Sequence, residues 1–401
     1  MRIILFTGKG GVGKTSVAAA TALASARAGN KTLIMSTDPA HSLADAFDRP
    51  LGSEATEIEG GLWGQQIDSQ KRLEDSWREI QRYAIDLLSW SGMSGIEAEE
   101  LSVIPGVDEL FSLADVKEHY LSGTYDLLVV DCAPTAETLR LLSLPEILSW
   151  YIERIFPVER KIAKAVRPVL RHVKSLPPIA SDSVFEAATR FYERIDGIKA
   201  ILTDPDVTSI RLVMNPEKMV IAEAQRTFAY LSLFGYGVDA IVVNRLLPDE
   251  VVDPYFDKWR LSQAEHMATI ASGFSPLPIL TARLFDQEMV GDVLLEKLGG
   301  EVYGELDPLG VLYRGEVIKV VEDEGGHRLK VRLPFTDRSE VDLSRSGDEL
   351  FIKVGNLKKN LVLPKVLQRS RVAGARFEDD WLNIMFSSET PADEEPDHGT
   401  N

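Results

Sequence analysis

The feature that most constrains this chain is a glycine-rich loop that begins at its eighth residue. Gly8 to Thr15 reads Gly-Lys-Gly-Gly-Val-Gly-Lys-Thr and fits the phosphate-binding pattern G-x-x-x-x-G-K-[ST]. Glycines let successive backbone N–H groups approach one anion where a side chain would block them. An apolar run, Arg2 to Thr7, precedes the loop, and an alanine-rich stretch, Ser16 to Ala28, follows it. This order of strand, loop and helix predicts a P-loop nucleotide-binding fold.

Two side chains of this loop carry its predicted chemistry. Lys14 is expected to reach the β- and γ-phosphates of ATP, and the Thr15 hydroxyl to coordinate the Mg²⁺ ion that bridges them. The dipole of the following helix adds to the attraction for phosphate. ATP and Mg²⁺ are therefore the predicted cofactors. The loop residues predicted to bind the nucleotide are Gly8, Lys9, Gly10, Gly11, Val12, Gly13, Lys14, Thr15 and Ser16.

Composition and charge exclude several classes of partner. The chain has 401 residues, 44% hydrophobic and 26% charged, which is typical of a soluble globular protein long enough for two domains. Its formal net charge of −18 opposes sequence-independent binding to nucleic acid and to anionic lipid. No apolar run is long enough for a membrane span, and the first predicted strand begins at Arg2, which leaves no room for a targeting peptide. We therefore predict a cytoplasmic protein with no integral membrane segment and no nucleic-acid partner.

Further apolar runs follow at the spacing of an α/β fold, and each is followed by a polar residue. Parallel strands of a doubly wound sheet produce this pattern, and their ligand lies beyond the carboxyl ends of the strands. The polar residues are therefore predicted to point at one crevice. The runs are Lys31 to Met35 before Asp38, Tyr125 to Val130 before Asp131, Ile210 to Met214 before Asn215, and Ala240 to Val243 before Asn244.

Two long stretches of this predicted domain, residues 62–121 and 145–201, have helical periodicity and are interpreted as helical insertions. Within the second, Glu153 to Lys174 is basic and amphipathic. One interpretation is that these helices pack on each other and on the sheet. The other is that they form a surface that binds client proteins. The sequence does not decide between the two.

From about Glu305 the sequence changes to short alternating runs separated by turn residues, a pattern typical of a β-sandwich. We therefore predict a P-loop domain over residues 1–304, a sandwich over residues 305–388, and a disordered acidic tail over residues 389–401. The predicted strands are Glu316 to Val321, Arg328 to Leu333, Glu349 to Val354, Lys359 to Leu363, Arg371 to Phe377 and Trp381 to Phe386.

Hydrolysis of ATP needs groups that orient water and sense the γ-phosphate, and two segments lie where such switches belong. Ser36 to Leu43, with Asp-Pro-Ala-His, follows the second strand, and Asp131 to Arg140, with Ala-Pro-Thr, follows the third. Together with the loop and Asn244, these motifs make the chain similar to the arsenite-pump and tail-anchored-protein-targeting ATPases. These belong to the deviant Walker A class, whose loop contains a second lysine. The resemblance covers roughly residues 1 to 300.

The resemblance implies roles for four residues. It implies that Lys9 reaches across a homodimer interface to the partner's phosphates and that Asp38 orients the attacking water. Together with Lys14 of the phosphate loop, these two residues are the predicted catalytic residues Asp38, Lys9 and Lys14. It also implies that Asp131 lies in the second shell of Mg²⁺ and that Asn244 recognises adenine. Two alternatives remain open. Lys9 could be an exposed loop lysine, and Asp38 could be a turn-forming residue before proline.

Cysteine usage separates this chain from parts of the family it resembles. Targeting members hold zinc between subunits with a Cys-x-x-Cys pair, and arsenite pumps bind the metalloid through thiols. This chain has one cysteine, Cys132, and the segment 245–272 has none. The sequence therefore predicts a homodimer with no zinc site and argues against arsenite extrusion. The second switch also departs from the family, with Ala136-Glu137 in place of Gly-His and Cys132 in place of threonine.

The C-terminal part, about residues 310 to 388, resembles the α-crystallin domain of small heat-shock proteins. The resemblance is carried by the stretches Glu349 to Val354, Lys359 to Pro364 and Gly374 to Ile384. The Ile-x-Ile tail that links dimers of that family into large assemblies is absent, because Ser387 to Asn401 contains no isoleucine. The resemblance therefore implies a small oligomer.

Together these features predict an ATPase that acts as a homodimeric chaperone or targeting factor. It is expected to bind hydrophobic segments of client proteins, with membrane-protein segments among the candidates, in a groove controlled by nucleotide. The alternative is a regulatory or partitioning ATPase of the deviant Walker A class that positions a protein partner. A nucleotide-binding module with vestigial hydrolysis is a third hypothesis, against which the presence of Lys9, Lys14, Thr15, Asp38 and Asp131 argues.

Overall fold

The N-terminal domain is built on one large, mainly parallel β-sheet. The computed structural model of the chain describes residues 1–37, 42–66, 75–90, 107–133, 135, 142, 180–323, 326–368 and 370–387. Within them, eight strands of this domain form a sheet in the order β3-β4-β2-β5-β1-β6-β7-β8, in which only β3 runs antiparallel to its neighbour. The strands are β1 Arg2–Thr7, β2 Thr32–Ser36, β3 Thr56–Glu59, β4 Leu62–Gln66, β5 Leu127–Asp131, β6 Thr208–Met214, β7 Val238–Leu246 and β8 Ile279–Arg283.

The central strands are buried on both faces, as continuous apolar runs require. Every residue of β1, β2, β5 and β6 is buried. Register aligns the carboxyl ends of three strands, because Asp131 on β5 lies opposite both Phe6 on β1 and Ser36 on β2. The five predicted parallel strands are confirmed. Of the polar residues predicted after them, Asp131, Asn215 and Asn244 lie at one edge of the sheet, and Asp38 lies outside the described residues.

Helices cover the faces of the sheet and connect its strands. The alanine-rich α1 packs closely on α9, and a Cβ atom at Gly299 would lie 3.0 Å from the carbonyl oxygen of Ala20. The described helices are α1 Lys14–Arg27, α2 Ser42–Phe47, α3 Asp75–Trp90, α4 Val107–Ser122, α5 Asp182–Ile195, α6 Ile198–Thr203, α7 Lys218–Phe234, α8 Asp257–Gly273, α9 Asp292–Tyr303 and α10 Lys365–Gln368. None of them is long and apolar enough to cross a membrane.

The predicted start of the first helical insertion is wrong, because Leu62–Gln66 forms strand β4 beside β2. The periodicity of the whole stretch favoured a helix, but this part of it pairs with β2. Gly64 packs tightly there, since a Cβ atom at this position would lie within 3.0 Å of the side chains of Ile58 and Leu51. The helices α3, α4 and α5 pack together farther along, around a small separate core that includes Phe111, Phe191 and Ile195. The basic segment of the second insertion, Glu153 to Lys174, lies outside the described residues.

The C-terminal part is a β-sandwich of two antiparallel sheets, as predicted, with strand orders β14-β15-β10-β9 and β11-β12-β13. The strand β11 was not predicted from the sequence because its side chains alternate between intermediate and exposed positions. The predicted acidic tail, 389–401, lies outside the described residues. The strands are β9 Ile318–Asp323, β10 Gly326–Arg332, β11 Val341–Ser346, β12 Glu349–Val354, β13 Leu357–Val362, β14 Arg371–Glu378 and β15 Trp381–Ser387.

The sandwich packs on helix α7 of the N-terminal domain. The Phe335 ring lies 6.4 Å from that of Phe228 on α7 and 5.2 Å from that of Phe274. The buried Lys359 of β13 places its ammonium 5.1 Å from the ring of Phe234, at the end of α7. The two parts therefore share one continuous apolar core.

A buried arginine fixes the segment that joins the two parts. The Arg211 guanidinium is fully buried, 3.3 Å from the Asp239 carboxylate, and it donates hydrogen bonds to the carbonyl oxygens of Pro308 and Gly310. The other oxygen of Asp239 accepts a bond from the Leu312 N–H at 3.3 Å. Hydrogen bonds to a buried ion pair satisfy charges that would otherwise be costly to bury, so this segment is held firmly against the sheet.

Candidate functional site

The glycine-rich loop runs from the end of β1 to the start of α1. Gly13 has φ 90° and precedes the first helical residue, Lys14. A side chain at Gly8 would collide with the carbonyl oxygen of Val213, and one at Gly13 with the amide of Asn244. Glycine is required at both positions, because the loop is pressed against β6 and β7 there.

Thr15 of the loop contacts one residue of each predicted switch segment, Ser42 in the first and Asp131 in the second. Its hydroxyl donates a 2.8 Å hydrogen bond to the Asp131 carboxylate, and its Oγ1 lies 3.2 Å from the Ser42 hydroxyl oxygen. Ser36 donates to the same carboxylate oxygen at 3.4 Å. The structure thus brings together the predicted magnesium ligand Thr15 and the predicted second-shell residue Asp131, with two serines that the sequence analysis had not assigned.

Lys14 and Lys9 share the loop but lie in different surroundings. Lys14 is buried, and its ammonium donates a 3.3 Å hydrogen bond to the carbonyl oxygen of Lys9. Lys14 lines a cleft of about 700 Å³ with Gly10, Gly11 and Gly13 of the loop. The side chain of Lys9 is one-third exposed and lines a neighbouring groove instead. Of the two lysines, only Lys14 therefore lines this cleft.

A carboxylate that the sequence analysis missed lies beside Lys9. Glu223 of α7 places one oxygen 3.8 Å from the Lys9 ammonium and accepts a 3.1 Å hydrogen bond from the Thr135 hydroxyl with the other. Thr135 belongs to the Ala-Pro-Thr motif of the second switch. Glu223 therefore links the loop lysine to that switch. No pattern around it distinguishes it from the other charged residues of an amphipathic helix.

We expect Glu223→Gln to raise the rate of ATP hydrolysis by a few-fold. The Lys9–Glu223 pair is partly exposed and so contributes less than about 1 kcal/mol. When the Glu223 carboxylate is replaced by a neutral amide, the Lys9 ammonium is no longer held in this ion pair and can contact other groups. Steady-state phosphate release at several protein concentrations tests this, with Glu265→Gln as a control that removes an exposed charge from α8. A more than tenfold decrease would instead assign Glu223 a direct part in catalysis.

Asn244, at the end of β7, has a structural contact that was not predicted. Its side-chain amide donates a 2.9 Å hydrogen bond to the carbonyl oxygen of Val12, and its side-chain oxygen accepts one from the N–H of Arg245. The guanidinium of Arg245 also reaches the carbonyl oxygen of Gly11. These contacts hold the loop in place, and recognition of adenine by Asn244 stays a prediction.

The far wall of the cleft is the segment 284–290, which follows β8. This segment was not predicted from the sequence, although the apolar start of β8, followed by polar residues, was an available signal. Arg283, the last residue of β8, forms a hydrogen-bonded ion pair with Glu301. This contact raises the pKa of the Arg283 guanidinium above its ordinary value. The predicted catalytic residue Asp38 and the switch residues Ala136 and Glu137 lie outside the described residues.

Two protein-family models match the chain, one over the N-terminal domain and one over the C-terminal sandwich. A family model described as "Anion-transporting ATPase" (ArsA) matches residues 1–304, and one described as "HSP20-like domain found in ArsA" matches residues 324–386. A Chlorobaculum tepidum protein named "Putative arsenical pump-driving ATPase" is 40% identical over 394 residues, 97% of this chain and 96% of that protein. The Aspergillus niger protein "ATPase get3" is 30% identical over 302 residues, 74% of this chain and 89% of that protein. Both resemblances found in the sequence are confirmed.

Proposed function

The chain belongs to the ArsA anion-transporting ATPase family, and on that premise we propose that this ATPase works as a homodimeric chaperone or targeting factor for hydrophobic protein segments. One observation carries the dimeric part of the proposal. Lys14 lines the nucleotide cleft, whereas Lys9 of the same loop lines the groove outside it. A lysine placed there is suited to reach the phosphates of a second subunit, as an arginine finger does.

In each subunit, different residues bind the phosphates of ATP, hold the loop in shape and take part in hydrolysis. The loop N–H groups and Lys14 hold the phosphates, since their positive charge is fixed at the N-terminus of α1. Asn244 and Arg245 keep the loop in shape through its carbonyl oxygens. Asp38 is proposed to orient the attacking water. Lys9 of the partner subunit is proposed to stabilise the charge that develops on the γ-phosphate.

The oxygen donors around Thr15 fit Mg²⁺. Thr15 and Ser42 present hydroxyl oxygens in the cleft, Ser36 and the Asp131 carboxylate lie buried behind Thr15, and oxygen is the ligand type that Mg²⁺ prefers. Thr15 would bind the ion directly, and Asp131 would hold the Thr15 hydroxyl through its hydrogen bond. The bound ion would neutralise charge on the β- and γ-phosphates.

Comparison with relatives supports a client protein as the partner. The relative named "ATPase get3" and the HSP20-like match support a role in handling exposed hydrophobic sequence. The regulatory or partitioning alternative has no comparable support among the described residues.

Arsenite transport is not part of the proposal, although several relatives have names that refer to arsenical pumps. A thiolate site for the metalloid needs several cysteines close together. This chain has only Cys132, and it is buried. Because the chain has a single cysteine, two copies cannot share a zinc ion through Cys-x-x-Cys pairs.

We expect the protein to bind a synthetic apolar helical peptide of about 20 residues in the ATP state and to release it after hydrolysis. Fluorescence anisotropy of the labelled peptide measures this, with ATP, with ADP and without nucleotide. A peptide of the same length in which serine replaces leucine is the matched control. Normal ATP hydrolysis together with equally weak binding of both peptides in every state would contradict client binding.

A further inference from the structure

We propose that the outer face of the four-stranded sheet in the C-terminal sandwich is a docking surface for an acidic, extended segment of a partner protein. This inference is independent of the client binding and of the homodimer proposed above. The sheet has the strand order β14-β15-β10-β9, and Leu329, Val331 and Ile384 are buried on its inner side. Because side chains alternate along a strand, the residues between them belong to the outer side.

Register arranges the outer side chains in rows that cross the strands, since residues directly opposite each other in an antiparallel pair point to the same side. In one row, Lys319 lies opposite Lys330, Lys330 opposite Asn383, and Asn383 opposite Arg376. We call this surface the basic face. Its basic positions are Lys319, Arg328, Lys330, Arg332, Arg371 and Arg376, and its acidic positions are Asp323 and Glu378.

The outer side of the three-stranded sheet shows that this excess of positive charge is specific to one face of the sandwich. Its outward positions balance two basic residues, Lys353 and Lys358, against two acidic ones, Asp342 and Glu349. Lys353 pairs with Asp342 at 3.8 Å. The chain as a whole has a net charge of −18, so a basic surface stands out from it electrostatically. Such a surface attracts a negatively charged partner.

The cations of the basic face are held around one aromatic ring. The ammonium groups of Lys319 and Lys330 each lie 5.2 Å from the centre of the Trp381 ring. Lys319 also pairs with the Glu316 carboxylate at 3.2 Å, whereas within the described part of the chain no carboxylate pairs with Lys330 or Arg332. A cation–π contact positions a charge without neutralising it, so these groups stay available to an incoming carboxylate.

A cleft of about 540 Å³ extends the basic face towards the N-terminal domain. Lys319, Arg332 and Trp381 line it together with Pro276 of that domain and the joining segment 313–316. The guanidinium of Arg332 therefore lies at a concave junction between the two parts of the chain. A narrow polypeptide can enter such a cleft, whereas the flat surface of a lipid bilayer cannot follow it.

The cleft suits an acidic polypeptide better than a nucleic acid. The carboxylates of Glu316, Asp379 and Asp380 also line it, and they would repel a chain that carries a phosphate at every residue. A peptide can place its carboxylates at intervals and set uncharged residues opposite these three. The ring of Trp381 has lysine ammonium groups over it, so it offers no free platform on which bases could stack. Clusters of basic side chains bind acidic peptide motifs in this way.

The test is the binding of a labelled peptide in which glutamate alternates with alanine, followed by fluorescence anisotropy. Lys319→Glu combined with Lys330→Glu should raise the dissociation constant at least about tenfold, because two attractive charges become repulsive. Lys353→Glu combined with Lys358→Glu is the matched control and should bind as wild type does. It changes the net charge equally, and Lys358 also lies over an aromatic ring, 4.3 Å from the centre of Phe351.

Unchanged ATP hydrolysis verifies that each double variant is folded. Arg376→Glu, which alters an exposed residue of β14, tests the same face with a smaller expected loss if the first double variant does not fold. Wild-type affinity of these variants, or equal binding of a peptide with glutamine in place of glutamate, overturns the docking surface. Tighter binding of oligothymidylate or of phosphatidylserine vesicles, lost in the same variants, overturns the acidic peptide as its occupant.

Discussion

Lys14→Ala is expected to lower kcat/KM for ATP by at least about 10²- to 10³-fold, the usual cost of removing a fixed group that stabilises phosphate charge. Lys14 is buried at the N-terminus of α1, where no other described cation lines the same phosphate cradle except Arg245 and Arg283 at its rim. Its ammonium is positioned by the carbonyl oxygen of Lys9. Neither arginine can substitute for it, because Arg245 binds the loop backbone and Arg283 pairs with Glu301.

Steady-state phosphate release and titration with a fluorescent ATP analogue measure this effect. Lys297→Ala, which removes an exposed lysine from α9, is the matched control and should behave as wild type. Undiminished hydrolysis by Lys14→Ala would mean that the loop does not hold the reacting phosphates.

Lys9→Ala is expected to have a different kinetic signature. Because Lys9 does not line the cleft of its own subunit, the affinity for ATP should change by no more than a few-fold. The rate constant kcat should fall by about 10³-fold, by analogy with the removal of an arginine finger. Loss of transition-state stabilisation without loss of binding lowers kcat and kcat/KM together and leaves KM nearly unchanged.

Rapid-quench measurement of a single turnover, at protein concentrations well above the dimer dissociation constant, separates chemistry from association. Lys218→Ala removes another basic side chain from the groove that Lys9 lines and controls for the charge of that groove. A large fall in ATP affinity for Lys9→Ala would show that Lys9 acts on its own subunit's nucleotide.

Much of the fold could be predicted from the sequence because its signals are local. The loop and the five buried runs have a pattern that few other structures produce. The loop pattern located Thr15, and the end of one run located Asp131, which Thr15 contacts at the edge of the sheet. Strands β3, β4 and β11 were missed because none of them is a continuous apolar run, and β8 was missed as well. β4 and β11 are recognisable only by their partners, β2 for the first and β12 for the second.

The contacts that organise the site could not be predicted, because they join residues far apart in sequence. Glu223 meets Lys9 and Thr135 only after α7 has packed beside the loop. The same helix carries Phe228 and Phe234, which contact the sandwich through Phe335 and Lys359. A charged residue on a helix surface has many possible partners, and only the packed structure identifies the one it has.

Complementation between two inactive variants tests most directly whether each active site combines Lys14 of one subunit with Lys9 of the other. In a mixed dimer of Lys9→Ala with Lys14→Ala, one site keeps its own Lys14 and receives an intact Lys9 from the partner, while the other site has neither. Random mixing in equal amounts makes half of the dimers mixed, so the predicted rate of ATP hydrolysis is about one quarter of the wild-type rate. A mixture that stays as inactive as the separate variants, although mixed dimers form, would contradict this shared active site.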